Sequence, residues 1–320
     1  MSEFDLIARH FTRPAATALL GVGDDCALLM PTPGQVLAVS TDMLVSGVHF
    51  FPDADPFLLG HKTLAVNLSD LAAMGATPRW ATLALSLPQA DEDWLAAFSA
   101  GFFALADRHG VELVGGDTTR GPLNLCVTIL GEVPPDAALR RDGARVGDDI
   151  WVSGELGAAA LALACLQGRA TLTEADATAC IRRLHAPEPR VQLGLALRGL
   201  AHAAIDLSDG LLADLGHILE RSAVGAELDY AALPGGLARS SLADVAGEIL
   251  LQRCLLAGGD DYELCFTAAP VRRAQVETIA ARLGLPLTRI GSITMGAGCT
   301  VRAADGGRIV VEEGGYDHFA

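Results

Sequence analysis

The chain has very little lysine and no long apolar run. Lys62 is the only lysine among 320 residues, and its surroundings, Gly60-His61-Lys62-Thr63, lack the upstream glycine spacing of a Walker A loop. This excludes a P-loop nucleotide site and the strand lysine of a protein kinase. No apolar stretch approaches the roughly 18 residues of a transmembrane helix, and the first residues lack the features of a signal peptide. We therefore expect no membrane partner, and any ATP site must use another fold.

Zinc-type metal patterns are missing as well. The seven cysteines are scattered without a Cys-x-x-Cys pair, and none of the eight histidines forms a His-x-x-x-His pair. An odd number of cysteines without metal-ligand spacing predicts reduced, mostly buried thiols, as is typical of a cytoplasmic protein.

Basic residues are scarce relative to acidic ones. The chain has 23 Lys and Arg against 39 Asp and Glu, a formal net charge of −16. This excess of negative charge argues against nucleic acid as a partner. The protein would also repel a phosphorylated ligand unless cations lay between the protein and the ligand. The hydrophobic content of 51% is ample for a packed core, and the length favours two domains.

What the chain does contain is a series of short acidic clusters, each placed where an apolar run ends. Several carboxylates that converge on one cleft repel each other unless a cation lies between them. Mg²⁺ is the usual partner, because it binds a few carboxylates together with substrate phosphates. The clusters are Gly23-Asp24-Asp25, Ser40-Thr41-Asp42, Asp70, Gly115–Thr119, Asp206–Gly210 and Gly258–Asp261.

Alternating apolar patterns predict an α/β fold. In the first half we predict helices over 59–74 and 94–109 and strands over 36–42, 79–87, 111–114 and 123–130. In the second half we predict helices over 157–167, 173–184, 188–199, 211–221 and 271–283, and strands over 150–153, 203–206, 261–267, 288–293, 298–303 and 308–312. A Pro-, Gly- and charge-rich stretch over 133–149 predicts two domains, 1–137 and 138–320.

The clusters of the first half also allow structural interpretations. Asp25 could lie in a solvated turn, and Ser40-Thr41-Asp42, at the end of a strand predicted to be buried, could cap a helix instead of supplying three oxygen ligands. Asp70 lies inside an apolar helix with no basic residue within a helical turn. Because an unpaired carboxylate there is costly, we expect Asp70 to bind a metal ion.

The remaining candidates also allow both a structural and a functional interpretation. Gly115-Gly116-Asp117 could form a hairpin, or its backbone N–H groups could approach a phosphate. Asp209 could cap the helix predicted over 211–221, which is compatible with phosphate binding at the same helix start. His49, in an apolar stretch, could be a partly buried residue or a ligand contact.

Taken together and in this order, the clusters resemble the bacterial thiamine-monophosphate kinase family. Its superfamily also holds aminoimidazole-ribonucleotide synthetase, selenophosphate synthetase and a hydrogenase-maturation protein. Asn67–Pro78 is shared widely among these, whereas His49, the Asp-Asp-Tyr-Glu-Leu run and the C-terminal Tyr-Asp-His-Phe point to the thiamine branch. The matching segments are Gly23-Asp24-Asp25, Ser40-Thr41-Asp42 with His49, Asn67–Pro78, Gly115–Thr119, Arg141–Ala144 with Gly147-Asp148-Asp149, Asp206–Gly210, Gly259–Leu264 and Gly315–Phe319.

The resemblance implies a two-domain α/β enzyme that uses ATP and Mg²⁺ to phosphorylate thiamine monophosphate. It implies that residues 1–137 bind ATP and Mg²⁺ and that their sheet forms a barrel with its copy across a homodimer interface. By position, the metal ligands are Asp25, Ser40, Thr41, Asp42, Asp70, Asp117, Asp206 and Asp209. Gly116, Asp117, Arg141 and Ser208 resemble ATP contacts, and His49, Asp260 and Tyr316 resemble contacts to the thiamine phosphate, with Asp260 standing where the family typically has glutamate.

The chemistry agrees with this resemblance. A phosphate monoester is already largely deprotonated at pH 7, since its second pKa is about 6, so its oxygen can act as the nucleophile without a general base. We therefore predict no covalent nucleophile and no catalytic base, but direct in-line transfer assisted by several Mg²⁺ ions. Two alternatives remain: another ATP-dependent synthetase of the same superfamily, and a non-catalytic regulator that binds a nucleotide or thiamine.

Overall fold

The structure, a computed structural model, describes residues 2–242, 245–310 and 315–316. It divides into two compact units: unit 1 holds the residues up to 71 and 76–136, and unit 2 holds 72–75 and the residues from 137 onward. All seven cysteines are free thiols, but only Cys180, Cys254 and Cys265 are buried, so the prediction that most of the thiols are buried was wrong. Within the described residues, no helix is both long and apolar enough to cross a membrane.

Unit 1 is built on a four-stranded sheet. Its elements are α1 (Glu3–His10), β1 (Val36–Val45), α2 (Pro56–Ala73), β2 (Thr77–Leu87), α3 (Glu92–His109), β3 (Glu112–Arg120) and β4 (Asn124–Val133). The strand order is β1-β4-β2-β3, in which β2 and β3 are parallel and the other pairs antiparallel. Helices α2 and α3 approach closely at two glycines: a Cβ on Gly60 would lie 2.0 Å from the carbonyl oxygen of Phe98, and one on Gly101 would lie 1.9 Å from that of Phe57.

Strand β1 is not the buried strand that its apolar sequence predicts. Its side chains alternate, so that Ser40 and Asp42 are half-buried on one face while Val39 and Met43 are exposed on the other. An apolar run cannot reveal this, because exposure depends on what covers each face of the sheet. One face of the sheet therefore carries exposed apolar side chains at β1.

Unit 2 is built on a seven-stranded sheet. Its elements are β5 (Asp149–Ser153), α4 (Ala158–Leu166), α5 (Glu174–His185), α6 (Val191–Leu197), β6 (Ala203–Asp206), α7 (Leu211–Ser222), β7 (Gly225–Asp229), α8 (Gly236–Ser241), α9 (Val245–Ala257), β8 (Leu264–Ala268), α10 (Arg273–Leu283), β9 (Leu287–Thr294), β10 (Gly298–Arg302) and β11 (Arg308–Ile309), with short 3₁₀ turns at Tyr230–Ala232 and Pro270–Arg272. The strand order is β11-β10-β7-β9-β5-β8-β6. The buried core includes residues of strands β5 and β6 and of helices α4, α7 and α9.

Sequence patterns missed several elements and misplaced the ends of others. Helices α1, α8 and α9 and strand β7 were not predicted, and α6 is shorter than the predicted helix over 188–199. Strand β8 begins at Leu264 rather than 261, because the preceding residues adopt an irregular backbone. Residues 311–312 of the last predicted strand and 317–319 of the C-terminal motif lie outside the described residues.

Candidate functional site

In unit 1, three of the predicted metal ligands lie close together, two of them on one face of the sheet and the third on the helix beside that face. The Ser40 hydroxyl donates a hydrogen bond to the Asp70 carboxylate, and the Asp42 N–H donates to Asn67 Oδ1 at 3.3 Å. Both Asn67 and Asp70 belong to α2, so this helix lies against the Ser40 face of β1. The tertiary structure therefore brings Ser40, Asp42 and Asp70 together.

Thr41 does not join this group through its side chain. It lies in the middle of β1, where successive side chains point to opposite faces, and its hydroxyl is 2.8 Å from Thr128 Oγ1. Since the strand continues to Val45, the Ser40-Thr41-Asp42 segment is neither a strand end nor a helix cap.

Gly116 and Asp117 lie within strand β3, not in a loop after it. Gly116 pairs with Leu83 of β2, and an added Cβ would lie only 1.9 Å from the Leu83 carbonyl oxygen. Its φ of 154° and this close approach explain the glycine. Two strands separate β3 from β1, about 14 Å along the sheet, so Asp117 and Asp42 are not neighbours.

Asp25 lies in an exposed segment that two carboxylates hold in place. Glu112 accepts hydrogen bonds from the N–H groups of Ala16, Thr17 and Ala18 at 2.7–3.1 Å. On the other side of Asp25, the buried Glu132 accepts hydrogen bonds from Thr32 N–H at 2.6 Å and from its hydroxyl at 2.9 Å. Neither glutamate was singled out by sequence, since a carboxylate in a strand gives no sign of a partner about 100 residues away.

His49 is tied to the end of β1. Its Nδ1 accepts a hydrogen bond from the Val45 N–H at 3.0 Å, and the residue is half-buried. This hydrogen bond and the partial burial agree with the interpretation of His49 as a partly buried residue. Its contact to a substrate stays a prediction.

In unit 2, four of the predicted residues meet where β6 ends and α7 begins. The Asp260 N–H donates to the Ser208 carbonyl oxygen at 2.8 Å, and the Tyr316 N–H donates to the Asp209 carbonyl oxygen at 3.1 Å. Asp206, the last residue of β6, lies two positions before Ser208 and is buried. Segments more than 50 residues apart in sequence thus form one neighbourhood.

The backbone at this neighbourhood is unusual. Asp260 and Tyr262 have φ values of 67° and 49°, the left-handed conformation that costs a residue with a side chain about 1–2 kcal/mol. Gly259 permits the approach of the two segments, because a Cβ there would lie 2.5 Å from the Ser208 carbonyl oxygen. Strain of this kind is concentrated at functional sites.

Two further carboxylates lie at helix starts beside these residues. Asp214 accepts hydrogen bonds from the N–H groups of Asp209 and Gly210 at 3.0 and 3.1 Å. Burial, together with the charges of Asp206 and Asp209, raises the pKa of Asp214 to about 7. Burial is the larger cause, and the smaller contribution of Asp206 and Asp209 is the repulsion between converging carboxylates that a cation would relieve. Sequence reasoning missed Asp214, although an acidic residue in the first turn of a helix was a usable signal.

Asp261 holds the start of the other helix. Its carboxylate accepts the Gly157 N–H at 2.9 Å, at the N-terminus of α4. Burial raises the pKa of Asp261 well above its ordinary value, and the nearby Glu263 and Asp260 add to the effect. Two helix N-termini and several carboxylates therefore lie at the same edge of the seven-stranded sheet.

Arg141 is exposed and lies on a segment that runs beside β6. The Arg140 carbonyl oxygen accepts the Ala204 N–H at 3.1 Å, and the Arg141 carbonyl oxygen accepts the Ser222 hydroxyl at 2.9 Å. The main chain of Arg141 is thus fixed while its guanidinium is exposed to solvent.

Among the described residues, no three or more His, Cys, Asp or Glu side chains are arranged as a ready-made metal cage. The donors that do lie together, Ser40 with Asp70 and Asp206 with Asp209 and Asp214, are hard oxygen ligands. Such donors suit Mg²⁺, which keeps several waters and binds only one or two carboxylates beside substrate phosphates. The donor chemistry fits this ion.

Comparison with known proteins agrees with this arrangement. Residues 23–133 match the AIR synthase related protein N-terminal domain, and residues 145–304 match its C-terminal domain. Thiamine-monophosphate kinase of Salmonella typhimurium is 49% identical over 322 residues, covering 99% of this chain and 98% of that protein. A crystal structure of thiamine-monophosphate kinase from Stenotrophomonas maltophilia has a TM-score of 0.84 at 54% identity, covering 96% of each chain.

A second similar structure is AaThiL complexed with AMPPCP and TMP. It has a TM-score of 0.79 at 31% identity, covering 91% of this chain and 89% of that one. At these identities, over nearly the full length of both chains, the resemblance read from the acidic clusters is confirmed. The chain belongs to the AIR synthase related proteins and, within them, to the family of thiamine-monophosphate kinases.

Proposed function

We propose that this chain transfers the γ-phosphoryl group of ATP to thiamine monophosphate, giving thiamine diphosphate and ADP. The observation that carries the proposal is the meeting of Ser208, Asp209, Asp260 and Tyr316 at the start of α7. These are residues that the family resemblance assigns to ATP, to metal and to the thiamine phosphate. The relatives of this chain include AaThiL, whose structure is a complex with AMPPCP and TMP.

The transfer needs little chemistry from protein side chains. The acceptor phosphate is itself a nucleophile, so the enzyme must bring two anions together and hold them in line. In our proposal Gly116, Asp117, Arg141 and Ser208 hold the nucleotide, while His49, Asp260 and Tyr316 hold thiamine monophosphate. Arg141 suits phosphate recognition because its guanidinium offers a fixed fork of donors.

Magnesium explains how so acidic a protein would bind polyphosphate. When bound, Mg²⁺ neutralises phosphate charge and shields the carboxylates from each other. The residues that would hold it are Asp25, Ser40, Thr41, Asp42, Asp70, Asp117, Asp206 and Asp209. Calorimetry with ATP should show binding with Mg²⁺ and almost none after EDTA treatment. Equal affinity in both conditions would contradict this role.

We also propose a homodimer in which two copies of the four-stranded sheet close into a barrel. The support is the open face of the unit 1 sheet, where Val39 is 60% exposed and Met43 is 53% exposed. Exposed apolar side chains in one patch favour a protein interface. Together with the seven free thiols, this suggests a cytoplasmic dimeric enzyme, and sedimentation should give twice the chain mass of 33.2 kDa.

Direct product analysis tests the reaction itself. With ATP and Mg²⁺, thiamine monophosphate should yield thiamine diphosphate, whereas free thiamine should give little product, because its hydroxyl needs a base. γ-Labelled ATP alone should leave the protein unlabelled, since no phosphoenzyme is expected. Turnover only with an aminoimidazole precursor or a selenide would favour the synthetase alternative. Binding without turnover would favour the regulator.

A further inference from the structure

A buried ion pair directly follows the strained turn that carries Asp260. We call residues 259–262 the Asp260 turn. The next residue, Glu263, is only 2% exposed, and its carboxylate accepts two hydrogen bonds from the Arg190 guanidinium, one of them from Nε at 2.6 Å. It also accepts the Ser153 hydroxyl at 2.5 Å. Three segments of unit 2 therefore meet at one carboxylate.

The surroundings leave Glu263 little freedom. Ser153 Oγ accepts the Leu264 N–H at 2.9 Å, so the hydroxyl links the side chain of residue 263 to the backbone that follows it. At Gly154, an added Cβ would lie 2.0 Å from a Glu263 carboxylate oxygen, so only glycine leaves room for the carboxylate in this position. The fork of Arg190 sets the orientation of the carboxylate as well as its position.

Glu263 also fixes the Asp260 turn through its own main chain. The Glu263 carbonyl oxygen accepts the Leu207 N–H at 2.8 Å, and the Leu207 carbonyl oxygen accepts the Tyr262 N–H at 2.8 Å. These bonds hold Tyr262 in its left-handed conformation, and the N–H of Asp260, also left-handed, donates to the adjoining Ser208 carbonyl oxygen at 2.8 Å. Such conformations persist only where the surroundings over-determine them.

We propose that Arg190, acting through Glu263, is a positioning residue for the phosphorylated substrate. The pair keeps the Asp260 turn in its strained conformation, so that the turn is already formed when thiamine monophosphate binds. The inference rests on the proposed function, because it takes Asp260 as a contact to that substrate. Neither Arg190, Glu263 nor Ser153 was among the residues that the family resemblance assigned to ligands.

Stability alone explains this pair poorly. Burying two charges costs about as much as their attraction returns, and apolar replacements of such pairs are often neutral or stabilising. What a bidentate buried pair does provide is defined geometry. A displacement of about 1 Å near reacting groups can cost about 100-fold in rate, so defined geometry has a large value here.

The experiment compares Arg190→Ala, Arg190→Lys and the milder Ser153→Ala with the wild-type protein. Steady-state kinetics with thiamine monophosphate and ATP as separate varied substrates should show kcat/KM for thiamine monophosphate falling about 10- to 100-fold in Arg190→Ala, with the KM for ATP changed much less. Arg190→Lys should recover part of the loss, because lysine keeps the charge but not the fork. Ser153→Ala should show the same pattern, more weakly.

Hydrogen exchange gives a readout that does not depend on activity. The amides of Asp260 and Tyr262 are hydrogen-bonded in the folded protein, and Arg190→Ala should speed their exchange while the amides of β10 stay protected. If the wild-type protein fails to phosphorylate thiamine monophosphate, the proposed function is wrong. The exchange measurement would still decide whether Arg190 holds the turn.

The matched control is Asp149→Asn at the opposite end of β5. Asp149 is 2% exposed and accepts hydrogen bonds from Arg273 and Arg289 at 2.5–2.8 Å, so its loss also breaks a buried ionic network in unit 2. It should lower the melting temperature but spare the substrate KM and the exchange of the turn. If Asp149→Asn and Arg190→Ala change KM and exchange alike, the Arg190–Glu263 pair is structural and the proposal is overturned.

Discussion

The two units place their acidic residues on different kinds of backbone. In unit 1 the candidate ligands Ser40, Asp42 and Asp70 lie on a regular strand and a regular helix, and side chains of the helix accept hydrogen bonds from the Ser40 hydroxyl and the Asp42 N–H. In unit 2 the candidates Asp209 and Asp260 lie at a helix start and in a left-handed turn, where their main-chain groups bond to other backbone groups and, at the Asp209 N–H, to the Asp214 carboxylate. A regular element sets the direction of a side chain by its periodicity, whereas an irregular segment needs outside contacts to hold it.

The substitutions with the largest expected effect test whether the carboxylates of both units serve one reaction. Asp42→Asn and Asp209→Asn should each reduce turnover about 100-fold or more, since even outer partners of metal ligands contribute about 10- to 100-fold. In EDTA their melting temperatures should equal or slightly exceed that of the wild-type protein, because a repelling charge is removed. The exposed Asp107, paired with Arg13 at 3.0 Å, provides the control Asp107→Asn, which should change neither quantity.

A different result would separate the two units. If only one of the two variants loses activity, the carboxylates of the other unit are structural. If either variant melts much earlier in EDTA while keeping full activity, its carboxylate stabilises the fold and does not bind metal.

A second prediction uses neighbouring glycines of unit 1. Gly116→Ala should destabilise the protein by about 1–3 kcal/mol, because its Cβ would lie 1.9 Å from the Leu83 carbonyl oxygen. The control is Gly115→Ala, where the nearest atom is Thr82 Cγ2 at 3.8 Å, so this variant should be nearly neutral. Urea denaturation measures both. Equal stability of the two variants would show that β2 and β3 do not approach so closely.

The smallest effect concerns the acid sensitivity of a buried carboxylate. Burial by itself raises the pKa of Glu132, but hydrogen bonds from Thr32 and Arg79 outweigh it, so the pKa lies below the ordinary value of 4.5. A carboxyl group with a lowered pKa in the folded state stabilises above its unfolded pKa, and this stabilisation is lost as the pH falls through the lowered value. Glu132→Gln should therefore be less stable than the wild-type protein at pH 7, and the difference should shrink as the pH falls from 4.5 through the lowered pKa of Glu132.

The unit 2 pair between Glu227 and Arg302 is the control for this measurement. Both side chains are about half exposed, at 48% and 49%, so Glu227→Gln should change stability little at either pH. Denaturation curves at pH 7 and below pH 4.5 compare the variants. A difference for Glu132→Gln that persists unchanged at low pH would show that the carboxylate charge is not what stabilises it.

Much of the fold could be predicted from sequence where patterns are local. Helix α2 was predicted over 59–74 and found at Pro56–Ala73, because its apolar positions repeat at helical spacing and Gly75 and Pro78 follow. Helix α1 was missed although Ser2 and Asp5 form a capping box that the sequence displays. Strand β7, with the sequence Gly-Ala-Glu-Leu-Asp, was missed because it contains none of the β-branched or aromatic residues that favour strands.

The candidate site was predictable in composition but not in arrangement. Residue types and order were enough to recognise the family, because acid clusters, glycines and hydroxyls are read directly from the chain. The roles of Glu112, Glu132 and Glu263 were not, since each depends on partners 73 to about 100 residues away. Sequence by itself determined which chemistry the chain offers, namely clusters of hard oxygen ligands that suit a divalent cation and phosphates. Only the tertiary structure decided which carboxylates meet, which face of β1 is open and why Asp260 can hold a strained backbone, because these depend on contacts between distant segments.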